Sequence, residues 1–223
     1  MRGLPGRRRG ATVSVAVSTA AFCAALAAVS GHGTLAASDR HLLNVFGSYH
    51  VRWLSIVARW CTNLGSVPVV LVAATATIAL CLVHRRATEA LLILMSIAVT
   101  GGAVRIVKEL VGRNGPHPHA HLGLNSGKAF PSGHSAQAVA CYFALAWILN
   151  RRTVSRRRRS AVWIAAGTLA GVVGWSRVYF RVHWPSDVLA GWAVAAFVLT
   201  ILIVAVPRLR SRPPPLSRVG VAA

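Results

Sequence analysis

Ser176-Arg177-Val178-Tyr179-Phe180-Arg181-Val182-His183-Trp184-Pro185-Ser186-Asp187 places two arginines, a histidine and a carboxylate at the mouth of the apolar run Val188 to Val206. A second short stretch, Pro131-Ser132-Gly133-His134, stands at the mouth of another run, Ser135 to Leu149. Four further runs precede or separate these two: Ala11 to Ser30, Val67 to Val83, Ala90 to Val107 and Ala161 to Gly174. Several are shorter than the ~20 residues of a bilayer span. The fourth run, Ser135 to Leu149, reaches span length if its helix starts near Ser132, and the fifth does so by continuing through Trp175 toward Phe180. Inside a bilayer only helices and closed barrels satisfy every backbone group. The predicted fold is therefore all-α, an integral membrane bundle of six helices.

Composition agrees. The 223 residues are 55% hydrophobic, with a mean hydropathy of +0.56, too apolar for an ordinary soluble domain. A formal net charge of +21 raises nucleic acid as a partner. The arginines instead sit in short clusters between apolar runs, where a nucleic-acid binder would spread them over one solvated face. Nucleic acid is excluded on that ground. Cys23, Cys61, Cys81 and Cys141 form no CxxC pair, and three lie inside apolar runs, so burial is expected rather than a disulfide framework or a zinc site.

The arginine clusters orient the chain. Arg2, Arg7, Arg8 and Arg9 lie at the N-terminus and Arg85 and Arg86 in the second connection. Arg151, Arg152 and Arg156 to Arg159 fill the fourth, and Arg208, Arg210, Arg212 and Arg218 the tail; together these hold 16 of the 25 basic residues. They are alternate ends of a six-span chain, which the positive-inside rule places in the cytoplasm. The connections Gly31 to Ser66, Lys108 to Pro131 and Trp175 to Asp187 then face out, and both short motifs lie among them. Residues 1–10 read as a basic cytoplasmic N-terminus, 11–206 as the membrane domain and 207–223 as a short disordered cytoplasmic tail. The first run also has the features of a cleavable signal, with small residues near Leu35-Ala36-Ala37; an uncleaved span is the preferred reading. Asp39 to Leu64, which carries Trp53 and Trp60, reads as an amphipathic helix on the outer interface. Trp147, Trp163, Trp175 and Trp184 lie near run ends, as an aromatic belt requires.

The motifs carry a specific chemistry. A helix beginning at Ser132-Gly133 points free N–H groups and a positive dipole end outward, which makes an anion site, and His134 is placed to donate a proton. The alternative is a plain helix cap with an interfacial histidine. His183 and Asp187 stand four residues apart, a spacing that puts them on one face of a helical turn. A carboxylate on one imidazole nitrogen sets the tautomer and frees the other nitrogen for attack. The alternative is a structural pair, but ionisable groups beside a span are functional by default. Lys108, one of two lysines, and Arg177 are candidate clamps on phosphoryl oxygens; snorkelling to headgroups is the competing role. The set suits phosphoryl transfer at a membrane surface.

In these residues the chain resembles the type-2 phosphatidic acid phosphatases, or lipid phosphate phosphatases. Their signature runs Lys-x6-Arg-Pro, then Pro-Ser-Gly-His, then Ser-Arg-x5-His-x3-Asp. The second block is complete at Pro131 to His134 and the third at Ser176, Arg177, His183 and Asp187, within a motif core of 108–187. The resemblance implies that His183 attacks phosphorus to form a phosphohistidine, that Asp187 orients it, and that His134 protonates the leaving oxygen and then activates water. Lys108, Ser132, Gly133 and Arg177 would hold the phosphoryl oxygens, with no metal or other cofactor. The substrate implied is a lipid phosphate at the extracytoplasmic helix mouths: polyprenyl diphosphate, phosphatidic acid or phosphatidylglycerol phosphate. Membrane lipids are the other expected partners, and no oligomer is specified.

The first block departs from the signature. It reads Lys108-Glu109-Leu110-Val111-Gly112-Arg113-Asn114-Gly115-Pro116, with Gly115 where the arginine belongs. A charged hydrogen bond of that kind is worth roughly 1.5–3 kcal/mol. Arg181 stands where relatives usually carry glycine. Arg113 or Arg181 is expected to supply the absent charge. Two other activities use the same residues, transfer to a different lipid acceptor and binding without turnover. His117, His119 and His121, with Lys128, read as a solvated entry loop that attracts anions rather than a metal site. Compactness and the preference for arginine over lysine point to a bacterial inner membrane.

Overall fold

Leucine, valine, isoleucine and alanine runs become helices here because hydrocarbon offers the backbone no other partner. The computed structural model describes residues 5–29, 33–47, 51–116 and 127–209. They form eight helices: α1 (Pro5–Val29), α2 (Gly33–Gly47), α3 (Arg52–Asn63), α4 (Val67–Val83), α5 (Ala87–Val111), α6 (Gly133–Asn150), α7 (Arg156–Tyr179) and α8 (Pro185–Leu209). Among the described residues the one β-type pairing is an isolated bridge between Asn114 and Lys128.

Six of the helices, α1 and α4 to α8, coincide with the six apolar runs. By length and apolarity, Ala87–Val111, Arg156–Tyr179 and the Pro185–Ala205 part of α8 are long enough to cross a membrane. The pair α3 and α4, bent by 46° at its break, adds a fourth candidate span. α6 runs through the middle of the bundle, packed against α4, α5, α7 and α8. Its buried surface is mostly small, with Ala136, Ala138, Ala140, Ala144 and Ala146 all enclosed, which lets neighbouring backbones approach as membrane helices require. The large apolar side chains point the other way. Val72, Leu80, Val83, Ile106, Leu110 and Ile164 are exposed on the outside of the bundle, where lipid would meet them.

The expected single interface helix from Asp39 to Leu64 is two helices, α2 and α3. α3 is short and one-sided. Ala58 and Thr62, one turn apart, are buried against α7, while Trp53 and Trp60 remain 66% and 72% exposed. α2 packs on α1, α7 and α8. The cysteine expectation holds for Cys81 and Cys141, which are buried, but Cys23 is exposed on α1.

Helix ends follow local chemistry. α5 carries Glu89 in its first turn and Lys108 in its last, complementing its dipole. It stops at Gly112, whose φ of 63° is left-handed and whose N–H returns to the Lys108 carbonyl at 3.0 Å. Arg151, at the end of α6, pairs with Glu89 at 3.7 Å and covers Trp147 at 4.9 Å. The connections around Arg85 and Arg151 therefore share one end of the bundle. The C-termini of α5 and α7 and the N-termini of α6 and α8 meet at the other. α8 is drawn close to α6 there because residue 191 is glycine: a Cβ would stand 2.5 Å from the Ser132 carbonyl oxygen.

Candidate active site

Each site residue is delivered by a helix end. α7 ends at Tyr179, and its last carbonyls hold the following loop. The Arg177 carbonyl accepts from the N–H groups of both Val182 and His183, at 3.2 and 3.3 Å. Arg181 takes the left-handed conformation, φ 53°, that lets the chain turn back so sharply. His183 is thereby set against the start of α8 and is 8% exposed.

The His183–Asp187 pair does not share a helix, as the spacing alone had implied. α8 begins at Pro185, which suits the first helical position because it lacks an N–H. Trp184 is its cap, and Asp187 at the third position reaches back to the Trp184 N–H with Oδ2 at 2.9 Å. This is the carboxylate half of a capping box. The same oxygen lies 3.4 Å from His183 Nδ1. One carboxylate thus ends a helix and orients an imidazole, leaving Nε2 as the free nitrogen. Burial pushes the His183 pKa below the ordinary histidine range; Asp187 opposes that, and Arg177 and Lys108 reinforce it.

α6 supplies the second histidine. Ser132 is its cap and is fully buried, with its N–H on the Asp187 carbonyl at 2.9 Å. The Ser132 hydroxyl accepts from Ser135 Oγ at 2.9 Å rather than capping the helix, so the first N–H groups, from Gly133 on, are left to a ligand. His134, one residue further, is half-buried and within electrostatic range of His183, Arg177 and Lys108. Arg177 is 4% exposed and donates from Nη1 to Thr62 Oγ1 of α3 at 2.7 Å. Its Nε is buried with no hydrogen-bond partner among the described residues. A buried guanidinium with a donor to spare is able to receive an anion. Lys108 reaches the Lys128 carbonyl, and Lys128 pairs with Glu109 at the exposed rim.

Arg113 is held by carboxylates. Its Nη1 contacts Asp187 Oδ1 at 2.8 Å and Ser186 Oγ at 2.7 Å, and its Nη2 contacts Asp39 Oδ2 at 2.8 Å. The guanidinium also stacks on Trp184 at 5.1 Å. Gly115 packs tightly: a Cβ there would stand 3.0 Å from the Val182 carbonyl oxygen. The loop bearing His183 has closed onto the place where the signature arginine would begin.

Asp39, Thr62 and Ser186 join the site without having been expected. Asp39 is 4% exposed and accepts from the Ser186 N–H and hydroxyl at 2.8 and 2.6 Å. Its scarcity was the available signal, since it is one of four acidic residues. His117, His119 and His121 lie outside the described residues. Among the described residues no group of three or more His, Cys, Asp or Glu side chains is placed to hold a metal ion.

Comparison with known proteins identifies the same motif region. Residues 89–211 match the family model of the PAP2 superfamily. Phosphatidylglycerophosphatase B of Bacillus subtilis (strain 168) is 30% identical over 151 residues, covering 67% of this chain and 74% of that one. A lipid A 1-phosphatase of Porphyromonas gingivalis is 35% identical over 106 residues, which are 47% of this chain and 21% of that one. The crystal structure of a transmembrane PAP2 type phosphatidylglycerolphosphate phosphatase from Bacillus subtilis superposes with a TM-score of 0.75 at 26% identity, covering 88% of this chain and 98% of that one.

Proposed function

From the premise that this chain belongs to the PAP2 superfamily and is a multi-pass membrane protein, we propose that it is a phosphatase hydrolysing the phosphate monoester or diphosphate of a lipid, through a phosphohistidine on His183. The observation that carries this reading is the convergence of His183, His134, Lys108 and Arg177 at one end of the bundle, with Asp187 on His183 Nδ1. Nε2 of His183 attacks phosphorus, and the bond to the lipid oxygen breaks as His134 delivers a proton to it. His134 then takes a proton from water, whose oxygen attacks the phosphohistidine and releases phosphate. Arg177, Lys108, Ser132 and the Gly133 N–H bear the charge on the equatorial oxygens. These fixed donors do so without a metal or another cofactor.

Low pKa suits His183 to the first step, because a neutral imidazole is the nucleophile. Phosphatidylglycerol phosphate, phosphatidic acid and polyprenyl diphosphate are the candidate substrates, and the names of the relatives favour the first. The basic connections at the far end of the bundle support a site on the extracytoplasmic side, with both termini in the cytoplasm.

Gly115 leaves one cation fewer than the family signature. Arg113 faces two carboxylates; the compensating role is assigned to Arg181 on its position, in the loop that closes over Gly115. Arg181→Gly then loses turnover, and full activity in that variant overturns the compensation; Arg113→Ala also loses turnover, through Asp187. The main test is release of phosphate from a panel of these lipids in mixed micelles, with chelator present, by wild type and His183→Ala. The expected result is turnover by wild type and none by the variant. Binding without turnover, or phosphate transfer only to a second lipid, overturns the hydrolase reading, and dependence on metal overturns the metal-free mechanism.

A further inference from the structure

We propose that Asp39 of α2 and Arg113 are positioning residues that set the orientation and protonation of His183 through Asp187, which makes α2 part of the working site. The proposal rests on the phosphohistidine reading above.

Both oxygens of Asp187 are held. Oδ2 faces His183 Nδ1 and the Trp184 N–H, and Oδ1 accepts from Arg113. Without Arg113 the carboxylate would keep its helix cap but lose the bond that stops it turning about its own axis. Arg113 is in turn fixed by Asp39, through the second arm of the guanidinium fork, and by Ser186. Asp39 closes the circuit by accepting from the Ser186 N–H and hydroxyl, so Asp39, Arg113 and Ser186 form a closed ring to which Asp187 is joined through Arg113 Nη1. Both carboxylates are buried, at 4% and 0% exposure. Arg113 lies between the two, one arm of its fork 2.8 Å from an oxygen of each. A lysine would not serve, because only a planar fork reaches both in this way.

Asp39 lies 147 residues from Ser186, outside all three signature blocks and outside the matched family region, which starts at residue 89. A purely structural role would be to pin α2 on the start of α8. The two roles separate by electrostatics. The charges facing His183 are Asp187 from α8, Arg177 from α7, Lys108 from α5 and His134 from α6. Arg113, from the α5–α6 connection, and Asp39, from α2, stand behind Asp187. Removing the negative charge of Asp39 lets Arg113 neutralise Asp187 more fully, so His183 becomes harder to protonate. Removing the positive charge of Arg113 does the reverse.

The experiment compares wild type, Asp39→Asn, Arg113→Gln, Arg113→Lys and His183→Ala by kcat, KM and the pH profile of kcat/KM, with thermal midpoints measured alongside. Asp39→Asn is expected to lower kcat by up to about a hundredfold with KM little changed, the size expected of a misaligned catalytic group. The acid limb of its profile moves to lower pH, and that of Arg113→Gln to higher pH. Arg113→Lys keeps the charge and loses kcat. Titration of the His183 imidazole by NMR reads the same opposed shifts without turnover, and in Asp39→Asn alone if Arg113→Gln does not fold. Unchanged kcat and titration in a folded Asp39→Asn, or shifts of one sign in both charge variants, overturn the proposal. Full activity in His183→Ala would instead sink the phosphohistidine reading while the NMR titration still judged the positioning network.

Discussion

Asp187→Asn tests the chemistry most directly, because its consequence follows from counting donors. Three donors point at the carboxylate: Arg113 Nη1, the Trp184 N–H and His183 Nδ1. An asparagine offers one acceptor oxygen and one NH2 group. The guanidinium is the strongest donor, so it takes the oxygen. The NH2 group then faces His183, and Nδ1 must become the acceptor. The imidazole proton moves to Nε2, the nitrogen that should attack. A wrong tautomer of this kind lowers kcat about 10⁴-fold in a serine-protease triad, and a similar loss is expected here. Stability also falls, since breaking a buried ion pair costs about 3–5 kcal/mol. The assay is phosphate release in mixed micelles from whichever lipid of the panel the wild type turns over, with kcat measured well below the thermal midpoint of the variant. A folded Asp187→Asn enzyme within tenfold of wild type would refute the tautomer argument, and with it the role given to Asp187.

His134→Ala is expected to lose roughly 10²–10⁴-fold in kcat, and much less on an aryl phosphate whose leaving group needs no proton; equal losses on both substrates would remove His134 from the acid role. Gly191→Val pushes a side chain into the Ser132 carbonyl, where a Cβ already lies at 2.5 Å; separating α8 from α6 should cost about 1–3 kcal/mol in unfolding experiments, and an unchanged thermal midpoint would contradict the close approach. The depressed pKa of His183 couples folding to pH. The unfolded chain takes up a proton as pH falls past about 6.5, and the folded chain only further down, so stability is full above that point and declines below it. His183→Gln should flatten this decline, and a slope identical to wild type would exclude His183 as its source.

Much of this molecule was legible in its chain because membrane folding is governed by local, one-dimensional requirements. An apolar run in hydrocarbon has helix as its only open conformation, so Ala90 to Val107 or Val188 to Val206 announced their own structure. The start of α6 was equally local, since Pro131-Ser132-Gly133 opens a helix whose first N–H groups have no side-chain cap. The motif spacings carried the identity of His134, Arg177, His183 and Asp187 as one set. Other features depended on which surfaces meet. The His183–Asp187 spacing read as a shared helical face, and only Pro185 at the first helical position turned it into contact across a cap. Asp39 looked like part of an interfacial helix, and Arg113 like a spare phosphate clamp. No rule of periodicity brings residues 39, 113 and 187 together. That happens because α2 lies across the mouth of α8 and Arg113 reaches between the two carboxylates, 2.8 Å from each. The chain by itself determined the helices and singled out the motif residues; packing at the end of the bundle where α6 and α8 begin decided which charges face one another, since a buried charge needs a partner while sequence separation leaves that partner unspecified.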